Sequence, residues 1–297
     1  MVRGFSLWLS LMLMFFSMVP CYGEAQWTEE TLSHVIQQLL NEEIEELPAH
    51  QRVIPSRRQW DEARGLDPDW MHVLLLSTGS ADIRENFGKA DVSVIFSIHM
   101  ETGEFHLISL PWRGRIAAAG LPAPIPLNCV NCFGGPALMM QSLNRALSMN
   151  ISRYCAVNEE AFYQVVDALG GVQLALRQEE RQALGIQEEC PLLDAETALE
   201  FVQLPLEGED RALRLIAAAY DQLMEDGTLE QAFDLADRLL PCIDSNLTTA
   251  ELLDLLFLAF MSDEPLDFTP HELPLDEENR LDAAAGEELR AMIYGGE

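Results

Sequence analysis

The 297-residue chain is 48% hydrophobic and 23% charged, enough apolar content for one large domain or two small ones and too much for a disordered polypeptide. Eighteen basic residues stand against 49 acidic ones, a formal net charge of −31. Such a surface repels phosphate backbones instead of releasing counterions from them, which speaks against nucleic acid as a partner.

Arg3 precedes an uncharged, mostly apolar stretch from Phe5 to Val19, followed by Pro20 and Gly23. Residues 1–25 therefore read as a signal peptide, cut near Gly23, or as a short retained membrane anchor. Either way the remainder is expected to be exported, on the outer face of the cytoplasmic membrane or secreted. Met18, Val19 and Pro20 are not the small residues that precede a lipidated cysteine, which counts against lipidation of Cys21. Beyond it lie Cys129, Cys132, Cys155, Cys190 and Cys242, an odd number that defines no disulfide framework. The Cys129-x-x-Cys132 pair has no second pair and no nearby His to complete a zinc site, so the expectation is small buried residues or one local disulfide.

Residues 26–70 form a helix and a linker. Leu32, Val35, Ile36, Leu39, Leu40, Ile44 and Leu47 recur at helical spacing, predicting an amphipathic helix from Gln26 to about Leu47, ended by Pro48. A polar connector runs on through Pro55 to Pro68. Residues 71–297 are expected to be the main domain. Met71 to Leu76, Val92 to Ile98 and Phe105 to Leu110 are strand-like, and Thr102-Gly103 between the last two marks a hairpin, with the first run beside them in one sheet. A helix is predicted over Gly134 to Met149 with Pro136 in its first turn, then a strand at Tyr154 to Val157. A helix from Glu159 to Leu169 closed by Gly170-Gly171 and a strand at Val172 to Leu176 follow. Helices over Ala195 to Val202, Arg211 to Met224, Leu229 to Leu240 and Thr249 to Met261 come next, with a short one at Leu281 to Ile293 in an acidic tail. This alternation predicts an α/β fold, helices covering a central sheet.

No nucleophile elbow, zinc-protease helix, phosphate loop or dinucleotide fingerprint occurs. His72, His99 and His106 alternate with apolar neighbours and read as structural. What stands out is a set of cations at strand ends of an acidic chain: Lys89 with Asp91 before one strand, Arg113 and Arg115 after another, and Arg211 with Arg214 on one helix face. If these meet at one edge of the sheet they suit a phosphate or pyrophosphate, with Asp91 holding a divalent cation. The plain alternative is that each Arg pairs with one of the many carboxylates.

Several stretches together resemble the LytR-CpsA-Psr family of cell-envelope proteins. Val73-Leu-Leu-Leu-Ser-Thr-Gly-Ser80 is similar to its opening strand, and Lys89-Ala-Asp91 with Val92 to Ile98 to its Arg-Ser-Asp-Thr strand start. Phe105 to Pro111 and Leu127-Asn128 to Gly135 resemble its Val-Ser-Ile-Pro and Ile-Asn-His-Ala-Tyr-x-Tyr-Gly-Gly stretches. The most specific likeness is the ungapped run Asn150 to Val172. Asp194 to Phe201, Asp210-Arg211-Ala-Leu-Arg214 and Ser245-Asn-Leu-Thr-Thr resemble three later blocks, so the likeness spans about Met71 to Ile293.

The resemblance implies a central mixed sheet flanked by helices on both faces, a polyprenyl chain held between sheet and helices, and a pyrophosphate held by arginines and an Asp-bound magnesium ion (Mg2+). It implies transfer of a glycopolymer from a polyprenyl-linked glycan to peptidoglycan or an envelope protein, at the membrane. On that pattern Asp91 is the metal ligand, Lys89, Arg211 and Arg214 bind substrate, and Arg113, Arg211 and Arg214 are catalytic. The sequence departs from the pattern where Gly79 stands for an Asp, Lys89 for an Arg, Trp112 for an Arg with Arg113 one step on, Gln203 and Pro205 for an Arg-x-Arg pair, and Leu215 for a Gln. The expectation thus divides between an active phosphotransferase and a catalytically impaired relative that binds lipid or a protein partner. A secreted α/β binding protein sharing only the layer order is a third class.

Overall fold

A computed structural model describes residues 27–44, 46–48, 51–53, 66, 68–78, 87–111, 114–204, 211–226, 243–261 and 271–295. The leader, most of the linker, the segment expected as a helix over 229–240 and the pair Trp112-Arg113 lie outside the described residues. Among those residues no helix is long and apolar enough to cross a membrane.

Helix α1 (Glu29–Leu40) opens on a reciprocal cap, Thr28 Oγ accepting from Thr31 N–H and Thr31 Oγ from Thr28 N–H. It buries Leu32, Ile36 and Leu39, one face at four- and three-residue spacing. The helix stops short of the Leu47 expected from periodicity because Asn41 caps it and Glu42 turns left-handed, at φ 59°. Leu47 still reaches the core, from coil.

The sheet is built around β1 (Trp70–Thr78) and β2 (Ala90–His99), with β3 (Phe105–Ser109) returning antiparallel through the expected hairpin, where Gly103 sits at φ 76°. On the other side of β1 lies β6 (Arg153–Asn158), parallel to it, and then β9 (Ile243–Ser245), antiparallel to β6. A short β10 (His271–Glu272) joins β3 in parallel, giving the mixed order β10-β3-β2-β1-β6-β9. Between β3 and β6 the chain forms the small ladder β4 (Arg115–Ile116) with β5 (Ile125–Pro126), then the long helix α2 (Leu127–Leu147). Helix α2 starts seven residues earlier than expected and is kinked at Gly134-Gly135. Gly135 has φ 66°, and a Cβ there would run into the Phe87 ring, so both conformation and space require glycine. Ser148 ends the helix left-handed. The buried Asn144 amide then donates to Ile151 O and accepts from Ile151 N–H, fixing the turn into β6.

After β6 come α3 (Glu159–Ala168), β7 (Val172–Gln173), α4 (Gln178–Leu184), β8 (Leu192–Leu193), α5 (Ala195–Gln203) and α6 (Arg211–Asp226). The strand expected over Val172 to Leu176 is only two residues long and pairs with β8 outside the central sheet. Leu174 and Leu176 are buried instead in a satellite core with Val166, Phe201 and Leu215. Helices α7 (Thr249–Met261) and α8 (Ala283–Tyr294) complete the order.

Alternation along the strands gives the sheet two apolar faces. The first, with Leu74, Leu76, Ile95, Ile108 and Ala156, packs under α1, α2 and α8. The second, with Val94 and Leu107, packs under Leu213 of α6. Helices on both faces of a mixed sheet are the architecture expected from the sequence.

Candidate functional site

The sheet has a polar end, where parallel β1 and β6 finish side by side at Thr78 and Asn158 and β2 begins beside them. Ser77 pairs with Val92 and Thr78 with Ala90, so Asp91 is the extra residue of a β-bulge. Bulges bend a strand locally and cluster next to functional sites. Lys89, just before the bulge, lies on the α2 side of the sheet, its Nζ 3.5 Å from Glu42 Oε1. Its charge also opposes burial at Cys129, which nevertheless pushes that thiol up to about 12. Cys129 and Cys132 are buried free thiols on α2, so the C-x-x-C is part of the core.

Arg211 opens α6 and donates from Nη2 to Leu204 O at 2.5 Å. Two residues on, Leu213 packs on Val94 and Leu107 in a cluster that includes Val92, which brings the start of α6 over the second face near the bulge. Arg214 turns the other way, into the satellite core. Its Nη1 donates to Glu180 Oε1, its Nη2 donates to Ala175 O at 2.7 Å, and its guanidinium lies 5.4 Å from the Phe201 ring centroid. Glu180 is 2% exposed, and its second oxygen accepts from Arg177 N–H at 2.8 Å. Arg115 is engaged with the Pro124 carbonyl. Of the residues singled out in the sequence, then, Lys89, the backbone of Asp91 and the first turn of α6 share one end of the sheet, Lys89 on one face and α6 on the other. Arg214 is directed elsewhere, and Arg113 lies outside the described residues.

Sequence reasoning missed a set of neutral polar groups at this end. Thr78 Oγ1, Ser93 Oγ, Asn128 Oδ1 and Asn131 Oδ1 belong to residues at most 4% exposed and have no hydrogen-bond partner among the described residues. Asn131 is held beside the bulge by its Nδ2, which donates to Gly88 O at 2.8 Å. A buried polar atom without a partner costs about 1–3 kcal/mol, which makes these oxygens candidates to meet a polar group. Asn128 and Asn131, three apart in an otherwise apolar helical turn, were the available signal. Neutral side-chain oxygens are donors of the hard class that suits magnesium.

The second face changes character away from this end. Leu75, Val92, Phe96 and Phe105 are only partly buried against Val94, Leu107 and Leu213. Helix α7, Thr-Ala-Glu-Leu-Leu-Asp-Leu-Leu-Phe-Leu-Ala-Phe-Met, is apolar on almost every side, with Leu252 37% exposed and Leu258 reaching the hairpin glycine Gly103. Its first turn is tied to the same face by Glu251, whose Oε1 lies 2.6 Å from Arg153 Nη2. A helix apolar all round is ordinarily buried or in contact with lipid.

The LytR_cpsA_psr family model matches residues 42–257. A polyisoprenyl-teichoic acid–peptidoglycan teichoic acid transferase, TagU of Oceanobacillus iheyensis, is 26% identical over 203 residues, 64% of this chain and 63% of its own length. The TagU of Halalkalibacterium halodurans is 26% identical over 87 residues, 29% of each chain. Among solved structures, TagT bound to LI-WTA superposes with a TM-score of 0.62 at 17% identity, covering 82% of this chain and 98% of TagT. TagV of B. subtilis gives 0.61 at 17% identity, covering 77% and 98%. The chain thus shares the fold of these structures and spans less than two thirds of the Oceanobacillus relative.

Proposed function

Because the chain belongs to the LytR-CpsA-Psr family, we propose that it binds a polyprenyl-(pyro)phosphate-linked glycan at the cell envelope and transfers the glycopolymer to peptidoglycan or an envelope protein. The observation that carries this reading is the junction of two environments on one sheet. A polar end with Lys89, the Asp91 bulge and the start of α6 gives way to a half-covered apolar face under α6 and α7. That junction matches the two halves of a lipid-linked phosphate, and the relatives' transferase names agree with it.

In this reading the polyprenyl chain lies along Leu75, Phe96 and Phe105, and the pyrophosphate sits at the polar end. Lys89, from the first face, and Arg211, from the second, neutralise its charge across the end of the sheet, and Arg113 is proposed to join them. Arg214 joins them only by exchanging Glu180 for the ligand. Asp91, with neutral oxygens such as Thr78 Oγ1, would hold a magnesium ion, which when bound would offset charge on the phosphate oxygens. The acceptor hydroxyl displaces polyprenyl phosphate at the phosphorus that carries the glycan. The protein acts exported, on the outer face of the membrane or secreted.

A second reading, an impaired relative that retains lipid or partner binding, is favoured by one specific observation. Arg214 is committed to Glu180 and Ala175, on top of the charges replaced at Gly79, Trp112, Gln203 and Pro205. Protein purified from membranes is expected to carry a polyprenyl phosphate detectable by mass spectrometry on both readings. Only the transferase releases polyprenyl phosphate from a pyrophosphate-linked donor with magnesium. Arg211→Ala should slow that release about ten- to a hundredfold, the loss of one charge-assisted contact. Absence of release by the wild type leaves the binding module, and absence of lipid removes both.

A further inference from the structure

The first face of the sheet ends, opposite the polar site, in a group of aromatic and imidazole rings under α8. His72 is 2% exposed and bridges two hydroxyls, its Nδ1 2.8 Å from Ser97 Oγ and its Nε2 2.8 Å from Tyr294 Oη. Trp70 packs edge-on against Tyr294 and His99 and stacks on His106, whose ring centroid lies 6.0 Å from that of His271. Glu104 Oε1 lies 3.6 Å from His106 Nε2, and among the described residues no carboxylate is paired with His72, whose ring nitrogens face Ser97 and Tyr294. The same helix clamps α2, because Gly286 lies directly on the Leu147 backbone and Arg290 donates to the Leu147 carbonyl.

We propose that α8 is a proton-operated latch: neutral His72 holds Tyr294, and with it the helix, against the sheet, and protonation of His72 releases α8 and uncovers the end of α2. A neutral imidazole donates at one nitrogen and accepts at the other, which matches two hydroxyl partners. An imidazolium donates at both and places a charge where Trp70, Ser97 and Tyr294 supply no counter-charge. Burial accordingly pushes His72 down to about 4. Burial, opposed by Glu104 and reinforced by the like charge of His271, also lowers His106. His99 accepts from Thr102 N–H in the hairpin at 3.2 Å.

The group titrates lower when latched than when wetted, so the latch holds fully above about 6.5 and weakens as pH falls toward about 4. Between pH 7.5 and 5.0 that difference raises the open population about thirtyfold.

Hydrogen exchange on the full chain, followed by mass spectrometry at pH 7.5 and 5.0 and corrected for intrinsic chemical rates, tests this. Amides of α8 should lose protection about thirtyfold at pH 5.0 while those of β1 and β2 keep theirs. His72→Gln, which keeps one donor and one acceptor but cannot be protonated, should abolish the response. Equal α8 protection at both pH values, loss of protection in the sheet together with α8, or an unchanged response in His72→Gln would overturn the latch. If that variant does not fold, Tyr294→Phe keeps the ring and His72, and it should open α8 several-fold at pH 7.5. Wild-type protection in Tyr294→Phe would equally overturn it.

Discussion

Arg214 shows how a side chain placed by motif takes its partners from packing. Read along α6, Arg211 and Arg214 form one basic pair, but the structure gives Arg214 to Glu180, a residue of α4 that reaches it only through the satellite core. Arg214→Ala leaves that carboxylate buried and uncompensated, and should cost roughly 3 kcal/mol in urea unfolding, partly recovered by adding Glu180→Gln. Burial by itself would raise Glu180, but the Arg214 hydrogen bond, the Arg177 N–H and both arginine charges outweigh it and hold the group below its usual range. Its contribution is present at neutral pH and fades in acid. Glu251 behaves alike: chiefly the Arg153 hydrogen bond, against some burial and with help from Thr248, holds it down to about 2. Stability from this pair is full above about 4.5 and lost as pH falls toward 2, and Arg153→Ala should flatten that part of a stability-against-pH curve. At the polar end Lys89 is ion-paired with Glu42, a contact that a pyrophosphate held as proposed would have to displace. Glu42→Gln should tighten inorganic pyrophosphate binding by about two- to fivefold, the worth of an exposed ion pair, and unchanged affinity would separate Lys89 from the site.

Elements were legible where their signals are local. The Thr102-Gly103 turn and the helix starts at Asn158 and Asp194 follow from neighbours within three or four residues. The misses share a cause. Helix α2 begins at Leu127 and continues through Gly134-Gly135 because Phe87 fills the space beside the kink. The Val172 strand is cut short because Leu174 and Leu176 turn into the satellite core. The fit of α8 is of the same non-local kind. Ala at an exposed helix position would gain about 1 kcal/mol over Gly. A Cβ on Gly286, however, falls onto the carbonyl of Leu147, backbone that cannot step aside. Gly286→Ala should therefore lower the melting temperature, at a cost of about 1–3 kcal/mol, and a rise in melting temperature would contradict the docking of α8 on α2.

Over the whole molecule, a net charge of −31 makes the folded state work against its own repulsion. Raising salt from about 50 to 300 mM shortens the screening length by about 60% and should raise the melting temperature by a few degrees. A flat or falling trend would mean that local ion pairs outweigh the net field. The α/β class, the order of most strands and helices, the hairpin and the acidic surface were determined by the sequence alone, because period, capping and turn chemistry act over a few residues and net charge needs no geometry. The tertiary structure alone decided that β6 lies parallel to β1, bringing Asn158 beside Thr78, and that α8 reaches back 222 residues to place Tyr294 on His72. It also decided that two arginines three residues apart face different surroundings. Such pairings are selected by how whole elements bury their apolar faces, a non-local choice that leaves no periodic trace in the chain.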